Sequence, residues 1–277
     1  MANGMMQEAR RLIVHLGVQK TGSTSIQRHL RRNADALAGR LIVRTPEEGS
    51  PMRPLGRAAI GFSLAPSDDR AQALRLAFRE VLDTLPPGDA PVLISHENLA
   101  GAMPGNGGET RLYPLMPQIA ALLLAEARDF AVDFVVYTRN QKSWRPSVWA
   151  QAVRTDGYKR SLVEFEAETA DLPGWGDLIR RMTAEVGECL TRFRLEDEAD
   201  LLRPGRQLLR HAGLDDAEID ALEPLDGPTN SRLNGGATEF LRRLNGLSLN
   251  PHAHGRIVDL VARAEYLFAA DVPQGTS

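Results

Sequence analysis

Residues 12–25 read Leu-Ile-Val-His-Leu-Gly-Val-Gln-Lys-Thr-Gly-Ser-Thr-Ser, and this run restricts the fold more than any other part of the chain. Its apolar start, residues 12–16, has the length of a buried strand. Gly17 and Gly22 bound a short loop, and the hydroxyl-bearing Ser23, Thr24 and Ser25 open a helix. Strand, glycine loop and helix in that order begin an α/β architecture. They also aim backbone N–H groups and the positive end of a helix dipole at one place, which suits a phosphate or sulfate group. The two glycines have the separation of the phosphate-binding loop G-x-x-x-x-G-K-[ST], with Thr24 in the hydroxyl position. Ser23 stands where that loop has lysine, and Lys20 comes three residues earlier. The loop is expected to hold an anion, though not as an ordinary ATPase does. A glycine turn that merely caps the helix is the competing reading.

The rest of the chain continues the alternation. Short apolar runs with polar or turn residues at their ends fall at 12–16, 41–43, 92–95, 131–138 and 190–195, as buried parallel strands do. Helical patterns fall at 24–33, 68–85, 113–128, 143–154, 175–186, 201–211, 237–244 and 255–268. The expected fold is α/β, a three-layer sandwich with a central parallel sheet, as a single domain over residues 1–277. Ligands of such sheets bind beyond the carboxyl ends of the strands. Segments 44–66, 101–117 and 223–236 are rich in proline and glycine and resist regular assignment, as surface loops or functional lids would.

Composition excludes several classes of function. A net charge of -3 over 277 residues gives no global basic field for nucleic acid. The single cysteine, Cys189, allows no internal disulfide and is expected to be structural and half-buried. No apolar run approaches the roughly 20 residues that span a bilayer, so no integral membrane segment is expected. With a first strand expected near Arg11, no signal peptide is expected either, and the location expected is cytoplasmic. Of 33 basic residues only Lys20, Lys142 and Lys159 are lysine, a bias expected of a GC-rich bacterial genome. A lysine inside the loop then suggests that a compact ammonium is wanted there.

A second constellation spans residues 134–147, Phe-Val-Val-Tyr-Thr-Arg-Asn-Gln-Lys-Ser-Trp-Arg-Pro-Ser. A buried strand ends at Arg139, and a helix is expected from about Ser143, with Pro146 in its first turn. Arg139 at the strand tip and Ser147 on the helix suit a second phosphate, because guanidinium grips oxyanions with paired donors. A strand-end ion pair and an ordinary helical serine would look the same in sequence.

Together the two motifs resemble the sulfotransferase family that uses 3′-phosphoadenosine-5′-phosphosulfate (PAPS). Lys20 to Gln27 is similar to the segment K-T-G-[ST]-[ST]-[IL]-Q of its bacterial carbohydrate-type branch. The resemblance implies a P-loop fold like that of nucleotide kinases. It implies that Lys20, Thr21, Gly22, Ser23, Thr24 and Ser25 clasp the 5′-phosphosulfate, with Lys20 neutralising the leaving oxygen. Arg139 and Ser147 would bind the 3′-phosphate. Such a donor needs no metal bridge, and the histidines show no ligand spacing, so no metal is expected.

An acceptor hydroxyl must lose a proton as it attacks sulfur. Ser95-His96-Glu97, at the end of the strand over 92–95, supplies the candidates: Glu97 first and His96 second. A turn cap after the strand is the alternative for these residues. Arg232, within Thr229-Asn230-Ser231-Arg232, is a candidate for an additional phosphate contact. Trp144, Trp149 and Trp175 are expected to pack in helix faces. The acceptor class stays open among glycan, lipid and small metabolite, as does the oligomeric state. A P-loop small-molecule kinase, or a nucleotide-binding protein without catalysis, are the alternative functions.

Overall fold

Among the described residues, five strands pair as neighbours that are all parallel, in the order β2-β3-β1-β4-β5. The computed structural model describes residues 9–227, 233–248 and 250–269. In chain order the first half holds β1 (Arg10–His15), α1 (Ser23–Arg32), α2 (Ala34–Leu37), β2 (Ile42–Arg44), α3 (Met52–Leu64), α4 (Asp68–Leu82) and β3 (Val92–Ser95). Next come α5 (Met116–Glu126), β4 (Phe130–Thr138), α6 (Gln141–Thr155), α7 (Leu162–Glu168), α8 (Trp175–Val186) and β5 (Leu190–Arg194). The remainder is α9 (Arg206–His211), α10 (Asp216–Asp220), α11 (Gly235–Leu244) and α12 (Pro251–Arg263).

These elements form two compact units. The first, Met1–Ala102, Tyr113–Asn140 and Pro173–Thr229, contains the sheet. Strand alternation sorts its side chains. Ile13, Leu93, Val135 and Tyr137 pack with Ile26 and Leu30 of α1, Leu208 and Leu209 of α9, and Ile219 of α10. The alternate residues Leu12, Val14, Val92, Ile94, Phe134 and Val136 are buried on the other face. There α3, α4, α5 and α8 pack in succession as neighbours. Each fully buried leucine or valine stabilises the sheet by about 2 kcal/mol, so this double-sided burial is the main source of its stability. The chain is therefore α/β, with helices on both sides of an all-parallel sheet.

The second unit, Met103–Leu112, Gln141–Leu172 and Asn230–Ser277, is helical among its described residues. Val153 of α6 packs with Ala237, Leu241 and Leu244 of α11 and with Val258 and Val261 of α12. Ser161 and Glu164 form a reciprocal cap on α7, and Asn234 caps α11 by accepting from the Ala237 N–H at 2.8 Å.

Segment 44–66 is not the irregular stretch that its prolines and glycines suggest, because most of it is α3. Pro51 is its N-cap and Pro54 lies in its first turn, where an N–H has no intrahelical acceptor to lose. Gly56 is required by packing: a Cβ there would stand 2.0 Å from Nε2 of His96. Pro146 also differs from expectation. Helix α6 starts at Gln141, which puts the proline in the helix interior rather than its first turn. The helix expected over 201–211 starts only at Arg206, after Pro204 and a left-handed Gly205 (φ 94°). No helix among the described residues is long and apolar enough to cross a membrane.

Candidate functional site

The loop between β1 and α1 lies where connections leave the sheet in opposite directions. From β1 the chain runs towards β2, whereas β4 continues to β5 on the other side. Such a switch point opens a crevice at the carboxyl ends of the strands. The loop first extends β1 beyond its last residue: Leu16 N–H donates to Val135 O at 2.9 Å, and Tyr137 N–H donates to Gly17 O at 2.7 Å. It then turns sharply, with φ of 98° at Gly17, 66° at Lys20 and 88° at Gly22. Lysine in the left-handed region costs about 1 kcal/mol, so the fold around it must hold it there.

Several contacts do so. Thr21 Oγ1 donates to Val18 O at 2.6 Å, and Ser23 Oγ donates to the same carbonyl at 3.3 Å. Gln19 Nε2 donates to Gly101 O at 3.0 Å. The Arg139 guanidinium donates to the Lys20 carbonyl at 3.4 Å. Thr21 and Ser23 are buried, Lys20, Gly22 and Ser25 are half-buried, and Thr24 is exposed. The hydroxyl of Ser23 is thus turned inward to the loop. Gly22 is the N-cap of α1, no side chain among the described residues caps that end, and its first turn carries no acidic residue. The positive end of α1 is therefore neutralised by no carboxylate of its own.

Beside the loop stands the turn after β3. Gly17 passes so close that a Cβ would come within 2.9 Å of the Glu97 Cα. Glu97 opens a 3-10 turn, Glu97–Ala100, whose N-cap is His96. His96 Nδ1 accepts from the Asn98 N–H at 3.3 Å, and Nε2 faces Gly56. Nδ1 also lies 3.8 Å from Oε2 of Glu97, a contact that becomes an ion pair whenever the ring is protonated. The same Oε2 accepts from Gln27 Nε2 at 2.7 Å. Burial pushes the Glu97 carboxyl up, but the adjacent His96 and the Gln27 amide more than offset it and hold it at about 2. Glu97 is a carboxylate at neutral pH. Its side chain is 27% exposed against 5% for His96.

A buried polar chain continues beneath the loop. His15 Nδ1 and Ser95 Oγ share a hydrogen bond of 2.8 Å, and the Gln27 amide lies 3.4 Å from the same hydroxyl. His15 is fully buried, and among the described residues its Nε2 has no hydrogen-bond partner. Burial lowers its pKa from 6.5 to about 4, with the Glu97 charge opposing. The His15 ring meets Tyr137 edge-on at 5.3 Å, and the Tyr137 hydroxyl donates to Glu198 at 2.6 Å. Glu198 also accepts from the N–H groups of Gly205, Arg206 and Gln207, which caps α9. Burial, followed by the Glu198 charge, raises the Tyr137 phenol far above its ordinary range.

The structure thus brings Lys20, Thr21, Gly22, Ser23, His96, Glu97 and Arg139 to the carboxyl edge of one sheet. Ser147 belongs to the second unit, where it is buried and donates to the Ser143 carbonyl at 3.2 Å. Arg232 lies outside the described residues. Sequence reading assigned no role to Gln27, His15, Tyr137 or Glu198, and expected of Trp175 only packing in a helix face. Gln27 stood inside the quoted loop motif, but its partner is 70 residues away. No group of three potential metal ligands occurs among the described residues. No family model matches the chain, and no curated protein does either.

Proposed function

We propose that the chain is a PAPS-dependent sulfotransferase of P-loop type, acting in the cytoplasm on an acceptor hydroxyl of a glycan, lipid or small metabolite. One observation carries the reading. The uncapped end of α1 and the Arg139 guanidinium meet at the same glycine loop, with guanidinium and Lys20 carbonyl 3.4 Å apart. An anion at the helix end and a second one near the arginine are what a doubly phosphorylated nucleotide requires. Lys20, the loop N–H groups and Thr24 would hold the 5′ end. Arg139 would take the 3′-phosphate.

In the reaction, the acceptor oxygen forms a bond to sulfur as the bond between sulfur and the bridging phosphate oxygen breaks. Glu97 takes the acceptor's proton, and Lys20 neutralises the charge left on adenosine 3′,5′-bisphosphate. Glu97 is favoured over His96 on two grounds: its carboxylate is the more exposed, and the His96 Nδ1 is already engaged by Asn98. The low proton affinity of Glu97 in the free protein makes it a weak base, and a dianionic donor bound beside it would raise that affinity.

The test is transfer from radiolabelled PAPS to acceptors in a bacterial lysate. The wild type labels an acceptor without added magnesium, and Lys20→Ala labels none while its far-ultraviolet circular dichroism is unchanged. Equal transfer by Lys20→Ala, or label transfer from ATP in place of PAPS, contradicts the assignment.

A further inference from the structure

Arg139 lies one residue beyond the last pair of the β4–β5 ladder, Thr138 with Arg194. Its backbone is gripped from two sides. The indole N–H of Trp175 donates to the Arg139 carbonyl at 2.6 Å, and Asn140 N–H donates to Glu196 at 2.7 Å. Indole is a donor only, and Trp175 is just 7% exposed, so its N–H needs an acceptor close by.

Trp175 is also mounted rigidly. It is the first residue of α8, whose buried stripe Trp175, Leu178, Met182 and Val186 runs the length of the helix. Helix α8 packs against α5. Arg181 ties it further, donating to the Tyr113 carbonyl at 3.2 Å and pairing with Asp177 at 2.8 Å. A ring carried on such an element transmits a fixed position to whatever it bonds. The far side of the contact is a residue whose guanidinium reaches the loop at Lys20.

We propose that Trp175 is a positioning residue that fixes the Arg139 backbone and so sets the preference of the site for a nucleotide carrying a 3′-phosphate. This inference rests on the reading of Arg139 given above. The ring touches neither phosphate in this scheme. It acts through the place from which the guanidinium is projected, and displacement by a fraction of an ångström weakens a paired arginine–phosphate contact.

The experiment is calorimetry with adenosine 3′,5′-bisphosphate and with 5′-AMP, on the wild type, Trp175→Phe and Arg139→Ala. Trp175→Phe keeps an aromatic ring and removes the N–H. Its affinity for 5′-AMP stays within about twofold of wild type, and its preference for the bisphosphate falls about tenfold, the effect of one lost hydrogen bond to the positioned residue. If Trp175→Phe fails to fold, site-specific replacement by benzothienylalanine, which keeps the bicyclic shape without the N–H, gives the same readout. An unchanged preference in either variant, with Arg139→Ala still losing it, overturns the role of Trp175 alone. Equal loss of both affinities shows a purely structural role and also overturns it. A wild type without preference between the two nucleotides overturns this proposal together with the nucleotide reading beneath it.

Discussion

Acidification acts on this protein in part through His15, and the size of that part follows from where the ring sits. It is the last residue of β1, fully buried under the loop, with Nδ1 on Ser95 and Tyr137 across its edge. Burial disfavours its protonated form and brings its pKa from 6.5 to about 4. As pH falls below 6.5 the unfolded chain takes up a proton that the folded chain refuses, so stability is lost through that window. The loss levels off once the folded form also protonates, near pH 4. At about 1.4 kcal/mol per tenfold change in proton affinity, the total is about 3 kcal/mol. Glu97, whose carboxyl is held at about 2, exchanges stability only below the ordinary carboxylate pKa of 4.5, which touches only the acid end of the range and does so in wild type and variant alike. Urea unfolding followed by tryptophan fluorescence between about pH 7.5 and 4 measures the slope. His15→Gln is less stable at neutral pH, through lost packing, but its stability falls by about 3 kcal/mol less than that of wild type over the same range. Parallel slopes for the two proteins would show that the His15 ring does not resist protonation in the folded state.

Two further substitutions test the packing around the site. Gly56→Ala should stabilise α3 by about 1 kcal/mol on helix propensity alone, yet its Cβ would lie 2.0 Å from the buried His96 ring. Overpacking wins, with a net loss of about 1–2 kcal/mol in urea denaturation; a rise in the midpoint would show that His96 yields without cost. Tyr137→Phe removes the phenolic donor from Glu198 and leaves the carboxylate the backbone N–H groups of Gly205, Arg206 and Gln207 and the side-chain amide N–H of Gln207 at 3.1 Å. Stability at pH 7 drops by about 1–2 kcal/mol with the denaturant slope unchanged, whereas a neutral result would show that those N–H groups satisfy Glu198 alone.

The central strands were readable because each is a short apolar run that the sheet buries on both faces; β3 falls on the expected residues, Val92–Ser95. Helix α8 was equally readable from its apolar spacing, Trp175–Val186. Helix α3 was not, since its prolines and glycines carry the local signal of a loop. Their actual reasons are positional: Pro54 sits in the first turn, and Gly56 makes room for the ring that follows β3. The loop and Arg139 could be proposed from local motifs. The residues that hold them could not, because each contact joins distant segments: Gln27 with Glu97, Tyr137 with Glu198, and Trp175 with Arg139. A hydrogen-bonding side chain at a helix start or strand end announces that it needs a partner, and only the fold says which.

In the proposed function, the loop at Lys20 and the guanidinium of Arg139 are the two ends of one nucleotide site. Titration calorimetry of the wild-type protein with adenosine 3′,5′-bisphosphate and with 5′-AMP measures this directly. The bisphosphate is expected to bind at least about tenfold tighter, a margin of about 1.4 kcal/mol that disappears in Arg139→Ala. Equal affinity for the two nucleotides in the wild type would contradict it.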